Sequence, residues 1–494
     1  AHAHLHDSAK RDLPPYSLIQ KPAGGPDYMA FRLDLPIGGG WTREEEWRCE
    51  AYRLVQALNR VVGDRVLCEY QQRILADGVW DVPVLLESSP LLFRGCLYYA
   101  VSKSIAYCFQ NERERVWLVT GGAADGFKIK AIFKEPERWF FRLGADAVSG
   151  DEHRLIDDIL ATEIPVFARG DDHPRGAVVV SGYGNYAHYM WNELPALLEA
   201  LRWPSRSVTR AIVVAEPFGP FERLVDWPAD IPVTRTDDRS LMGSPRPTFH
   251  RDLLVVPGST VVTRQTKQRV IALTNEVASS GGAAFPRKSG RRIVWVSLRL
   301  MYRHAINEQA FVIALAKRLA NDDLGYDLAL DGFSLPWDIS FPNRYMPDYM
   351  RGHNQAVVEL GARVTASVRH AVGDRVNVFD WTSASLPEAI SLAGDADFYV
   401  CHHGTQQHKI GWLYDVPGLI HANVALVEQG VNGEWPRLQA DSPVQPIYFP
   451  GRFIVDAQTR NERQEYPYFR DYAFADINGL VDFVVTQMAA AGAV

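Results

Sequence analysis

From about residue 155 onward, short runs of Val, Ile and Leu alternate with longer stretches of helical spacing. AVVVS (177–181) precedes ELPALLEALR, AIVVAE (211–216) precedes FERLVDW, IPVTR (231–235) is a short run by itself, and DLLVVPG (252–258) precedes KQRVIALTNEVASS. A run that is apolar at nearly every position suits a strand covered on both faces, and amphipathic crossovers supply the cover. The chain is therefore expected in the α/β class.

A second series follows. RRIVWVSLR (291–299), YDLALDG (326–332), VNVFDW (376–381) and DFYVCHH (397–403) read as strands, and ALVEQ (425–429) as one more. NEQAFVIALAKRLA (307–320), HNQAVVELGARVTASVRHAV, LPEAISLAGDA (386–396) and the terminal DINGLVDFVVTQMAAAGA read as helices. The stretch SLPWDISFPNRYMPDYMRGH is irregular, and GGAAFPRKSG (281–290) reads as an interdomain linker. Two Rossmann-type domains, 151–285 and 286–465, then face each other across a cleft, with a C-terminal helix in 466–494 packing back on the body.

Residues 1–150 read as a smaller α+β extension. Thr42 and Glu45 form a capping box ahead of EWRCEAYRLVQALNRVV, and VWLVT (116–120), FKIKAIF (127–133) and RWFFRL (138–143) read as strands. No chemistry stands out there, and binding of an acceptor or another protein is the most it is asked to do. His2, His4 and His6 read as an unstructured end in preference to a metal site.

Composition narrows the function. With 52 Lys and Arg against 59 Asp and Glu, the net charge of −7 argues against a nucleic-acid binder held by bulk charge. The five cysteines are scattered with no CxxC, which fits reduced thiols in a cytoplasmic setting. No signal peptide is expected, because the N-terminal stretch lacks the apolar h-region such a segment requires. The apolar VLLESSPLLFRGCLYYAVSKSIAYCF is broken by Glu87, Arg94 and Lys103, short of the ~18–20 apolar residues that span a bilayer. Peripheral contact with an inner membrane stays open.

Three stretches carry chemistry: NYAHYMWNELP (185–195), VSLRLMYRHAINEQAF (296–311) and LPEAISLAGDADFYVCHHGTQQHKIGWL (386–413). In this order they resemble glycosyltransferase family 61, whose members share N-x-x-H-W-x-x-[DE]-x-L-P, then S-R…R-x-x-x-N-E, then A-D-…-H-G-A. The resemblance covers roughly residues 170–430. It implies a GT-B-like, inverting, metal-independent sugar transferase that uses a nucleotide sugar and no resident cofactor. Here Tyr189 stands for the family's Trp, Asn192 for its acidic residue with Glu193 beside it, Leu298 for its Arg with Arg299 next, and Thr405 for its Ala.

An inverting transferase needs a positioned base for the acceptor hydroxyl. His188 suits that role and Glu193 is the other candidate; a core histidine beneath the loop is the bland alternative. On a helix Asn185, His188 and Asn192 share a face on the acceptor side, while Glu193 turns partly aside. The departing nucleoside diphosphate needs cationic or N–H partners. Arg299 and Arg303 suit phosphate, unless they pair with Glu308 or Asp331 on a solvated face. Asn307 belongs to the same donor-side motif. His403, Gly404 and Thr405 end a strand and start a helix, a donor-binding position or an ordinary tight turn, with Gly404 admitting a ligand and Thr405 able to cap.

Asp395-Ala396-Asp397 precedes its strand where a metal-binding DxD follows one, and His402, His403 and His408 lack the spacing of a helical zinc pair. No metal is expected. The leading reading is a transferase acting on a glycan or lipid-linked glycan acceptor in surface polysaccharide or glycolipid synthesis. A nucleotide-sugar epimerase and a non-catalytic carbohydrate-binding or scaffold protein remain alternatives.

Overall fold

The computed structural model describes residues 29–31, 43–62, 67–78, 80, 82, 91–99, 103–135, 139–142, 150–164, 176–202, 207–236, 249–281, 290–322, 324–338, 347–432, 442–458 and 466–492. The histidines at 2, 4 and 6, Thr42 and most of the 281–290 segment lie outside them.

Two parallel sheets form the α/β body. The first contains Ala177–Ser181, Val208–Val213, Val233–Arg235 and Leu253–Val255. Numbered along the chain, these strands lie in the spatial order 3-2-1-4. The second contains Arg292–Ser297, Tyr326–Asp331, Val378–Asp380, Phe398–His402, Gly418–His421 and Ile447–Tyr448, in the order 3-2-1-4-5-6. That is the doubly wound order, and every neighbouring pair is parallel. All five residues of Ala177–Ser181 and all six of Tyr326–Asp331 are buried, as strands covered on both faces must be. The α/β class and the GT-B-like pair of parallel units expected from the sequence are present.

An antiparallel sheet forms the N-terminal extension: Leu92–Tyr99, Ser104–Gln110, Arg115–Thr120, Ile129–Glu135 and Trp139–Arg142. Met29–Phe31 adds to one edge in parallel, and Phe249–His250 adds to the other antiparallel to Leu92–Tyr99. The extension and the first parallel unit share one core, in which Tyr107 and Trp80 belong with Val178 and Leu254. Helix Leu386–Ala393 of the second unit joins that core through Leu386 and Ile390, so the two parallel units are packed together.

ALVEQ (425–429), expected as a strand, lies in the helix Val424–Asn432. The strand of that region is Gly418–His421, too short and too close to Pro417 to stand out. Asn423, with its side-chain Oδ1 accepting from Leu426 N–H at 3.1 Å, starts the helix in the usual capping manner. No helix among the described residues is long and apolar enough to cross a membrane.

Candidate active site

In each parallel sheet, strands 1 and 4 are neighbours whose crossovers leave to opposite sides. A crevice opens there, outside the carboxyl ends of the strands. The first unit brings Gly182–Glu193 and Ser259 to this point; the second brings Arg299, Arg303 and His403–Thr405. The two units meet at these ends, where the Tyr186 hydroxyl donates to the Thr405 carbonyl.

On the first unit the chain leaves its strand through Gly182. This residue has φ +103°, and a Cβ on it would stand 2.3 Å from the Ala215 carbonyl oxygen, so only glycine fits. Asn185 then caps the short helix Tyr186–His188, its side chain accepting from Ala187 N–H at 3.0 Å. A π-turn over Tyr189–Glu193 follows before regular helix resumes at Leu194–Ala200. Such single-turn widenings are common at functional sites.

The widened turn gives the next residues different duties. The Asn192 amide nitrogen donates to the Ser259 carbonyl at 3.0 Å, and its Oδ1 lies 2.9 Å from His188 Nδ1. A carbonyl only accepts, so the amide orientation is fixed; Oδ1 only accepts, so His188 Nδ1 must carry the proton. His188 is thereby held in the tautomer whose Nε2 bears the lone pair. Its ring lies near Tyr183 and Trp191, with centroids 5.3 and 6.1 Å away.

Glu193 is turned inward. It is 1% exposed, lies 3.3 Å from Lys103 Nζ, and accepts from Gly182 N–H at 2.7 Å. Lys103, itself 2% exposed and in a left-handed backbone conformation (φ 56°), also donates to the Gly182 carbonyl at 2.6 Å. The carboxylate thus ties the N-terminal extension to the strand–helix turn and does not line the cavity described below. Lys103 is a site-supporting residue that the sequence did not reveal, because its partner lies 90 positions away.

On the second unit Leu298, in the place of the family's arginine, is fully buried. Arg299 Nε donates to the Met301 carbonyl at 2.7 Å, and its backbone N–H donates to Glu308 at 3.2 Å. Burial and then the neighbouring Arg303 push the Arg299 guanidinium down to about 9. Tyr302 and Arg303 both have positive φ, a strained pair for non-glycine residues. Arg303 Nε is buried with no hydrogen-bond partner among the described residues, and burial also lowers its pKa. The loop thus holds two desolvated guanidinium groups, and the charge of Arg303 disfavours that of Arg299.

His403 Nδ1 bonds the Tyr448 hydroxyl at 2.8 Å, and burial followed by Arg303 and Arg299 pushes this imidazole down to about 3. Gly404 adopts φ 106°, ψ −150° and is itself the cap of helix Thr405–Gly411, with Thr405 as first helical residue. A Cβ on Gly404 would lie 3.7 Å from Arg303 Nη1, so the guanidinium rests on this turn. His408 stacks on Trp412 at 3.4 Å. Burial, then the proximity of His403, His188 and Arg303, holds His408 well below the ordinary imidazole range. His408 thus lies within electrostatic range of His403, His188 and Arg303, a placement that its sequence spacing does not reveal.

A cavity of about 230 Å³ is lined by Asn185 and Tyr186 from the first unit and by Arg299, Thr405, Gln406 and Lys409 from the second, with aromatic side chains completing the wall; His188, Arg303 and His403 are not among its lining residues. Lys409 is held by Asp331 at 2.7 Å and by the Gly332 carbonyl. Asn307, expected on the donor side, is used elsewhere: its amide donates to the Phe474 carbonyl and accepts from Phe474 N–H. Among the described residues one cluster has metal-ligand geometry, Glu308 with His402 and His421, behind the Arg299 loop.

No protein-family model and no curated protein matches the chain. Among solved structures it is similar to a glycosyl transferase family 9 protein from Veillonella parvula, at 10% identity over 57% of this chain and 88% of that one, with TM-score 0.28. It is also similar to the E. coli heptosyltransferase WaaC with ADP, at 12% identity over 63% and 99%, with TM-score 0.32. A putative UDP-N-acetylglucosamine 2-epimerase from Listeria monocytogenes is a further likeness, at 10% identity over 49% and 56%, with TM-score 0.21. At such identities and scores these are distant likenesses.

Proposed function

We propose that the chain is an inverting glycosyltransferase that moves a sugar from a nucleotide sugar to a hydroxyl of a glycan or lipid-linked glycan acceptor. The observation that carries this reading is the meeting of two strand-end loops, joined by Tyr186 and Thr405, of which one carries a tautomer-fixed His188 and the other unit supplies the desolvated guanidinium pair Arg299 and Arg303. The first two of the three ordered motifs that resemble glycosyltransferase family 61 supply these residues.

The acceptor hydroxyl oxygen attacks the anomeric carbon while the bond from that carbon to the diphosphate oxygen breaks. The hydroxyl proton passes to His188 Nε2, the nitrogen that bears the lone pair in the tautomer Asn192 selects. The diphosphate leaves with its electron pair and an added negative charge, which Arg299, Arg303 and the backbone at Gly404–Thr405 stabilise. His403 and His408, kept neutral, place no competing positive charge on the base. Lys103 and Glu193 hold the turn that carries it. No step of this scheme uses a metal, and surface polysaccharide synthesis is the setting that the motif resemblance favours.

The test is product analysis with UDP-, GDP-, ADP- and CMP-sugars, with and without an acceptor glycan pool. Acceptor-dependent release of free nucleotide supports transfer. An interconverted nucleotide sugar with no acceptor requirement points to an epimerase. Glycan binding without any turnover points to a binding module.

A further inference from the structure

We infer that Glu308, His402 and His421 hold a structural divalent cation of the zinc class inside the second parallel unit. His402 and His421 occupy the ends of adjacent parallel strands and are paired in register, which sends both rings to the same face, with centroids 4.3 Å apart. Glu308, the first residue of helix Glu308–Asn321, places its Oε1 3.2 Å from His402 Nε2. One ligand atom from each of the three lies within 4.8 Å of the others. All three side chains are buried, at 4%, 1% and 1% exposure.

The surroundings are those of a ligand set. His402 Nδ1 lies 3.2 Å from the Ser297 hydroxyl, His421 Nδ1 lies 2.6 Å from the Tyr472 hydroxyl, and Glu308 Oε2 accepts the Arg299 backbone N–H. Each group is thus oriented from behind by an outer partner, as metal-bound imidazoles and carboxylates are. What remains inside is unsatisfied: despite their 3.2 Å approach, Glu308 Oε1 and His402 Nε2 make no hydrogen bond of acceptable geometry. Buried polar atoms left in this way are costly, and an ion accepting both lone pairs removes the deficit.

Two imidazoles and one carboxylate select zinc-like ions over calcium or magnesium, which prefer all-oxygen sets. Phe449, Phe474 and Tyr472 pack against His421 and close the chamber, so the ion is structural. Three protein ligands leave a fourth tetrahedral position for one water. Among the described residues the ionisable neighbours include Arg299, whose side chain is turned to the Met301 carbonyl, and His304 beside His402, with Arg303 and Asp471 acting on the Tyr472 that bonds His421. The ligands tie two strand ends to the start of a helix, and the same loops carry Arg299 and His403. This inference stands apart from the transferase reading, since the ion takes no part in the reaction.

The experiment is elemental analysis of the full chain purified without an immobilised-metal column and dialysed against a weak chelator to clear His2, His4 and His6. The expected result is about one zinc per chain, a fall in Tm on stripping with a strong chelator and recovery on adding zinc. Cobalt substitution of the stripped protein should give visible d–d bands. Glu308→Gln and His421→Asn should lose the ion while keeping the far-UV dichroism of the stripped protein. Fewer than about 0.1 ion per chain, with Tm unmoved by excess zinc, overturns the assignment. The wild-type measurement decides even if the variants fail to fold.

Discussion

His188 and Asn192 are joined by a 2.9 Å hydrogen bond, and Asn192 is fixed from behind by the Ser259 carbonyl at 3.0 Å. Where the family that this stretch resembles has an acidic residue, this chain has an amide, which orients the imidazole and chooses its tautomer without adding negative charge. His188→Ala should lower kcat by about 10²–10⁴-fold, the usual worth of a general base. Asn192→Ala removes one neutral hydrogen bond and should lower kcat by about 2- to 10-fold with little change in KM. Steady-state kinetics of both variants provide the check; unchanged turnover in His188→Ala would remove it as the base.

Lys103 and Glu193 form a buried pair at 2% and 1% exposure. Lys103→Met leaves the carboxylate without its cation and should destabilise the fold by about 3–5 kcal/mol. Lys103→Met with Glu193→Gln should recover part of that loss, because neither partner is then charged. Urea midpoints of the single and double variants measure it. A single variant as stable as wild type would show that the pair does not anchor the turn.

His408 and His353 are both held below the ordinary imidazole value of 6.5, chiefly by burial. Below that value the unfolded chain takes up protons that the folded chain refuses. Their contribution is therefore fully present above about pH 6.5 and is lost as the pH falls below it. Asp331, raised by burial, acts in the opposite sense, so the readout is a difference. His408→Gln should lose less stability than wild type between pH 7.5 and pH 5.5, values of about one unit either side of the unfolded imidazole pKa. Parallel denaturation curves at both pH values would contradict this.

The parallel sheets were legible because their strands are buried on both faces and need nearly unbroken apolar runs, as in AVVV (177–180) and IVWV (293–296). The helix Val424–Asn432 reads as a strand in the sequence because ALVEQ, with three apolar residues in five, is too short to show a period that tells helix from strand. Phe249–His250 joins the antiparallel sheet through partners about 150 positions earlier, a pairing that local pattern does not encode. Within the candidate site, the shared face of His188 and Asn192 could be read from helical spacing. The inward turn of Glu193 could not, since it depends on the π-turn and on Lys103. Glu308, His402 and His421 come from three elements, and their meeting is a property of strand register.

The central claim is that the guanidinium pair at the second switch point receives the diphosphate of a nucleotide sugar. The most direct measurement is a thermal-shift panel of UDP, GDP, TDP, ADP and CMP on wild type and Arg299→Ala. The account predicts that one nucleoside diphosphate raises the wild-type Tm and that Arg299→Ala loses most of that shift. Binding stabilises the folded state by about 2.7 kcal/mol at a hundredfold excess over Kd, which is easily read. No shift with any nucleotide, or an equal shift in both proteins, would contradict it.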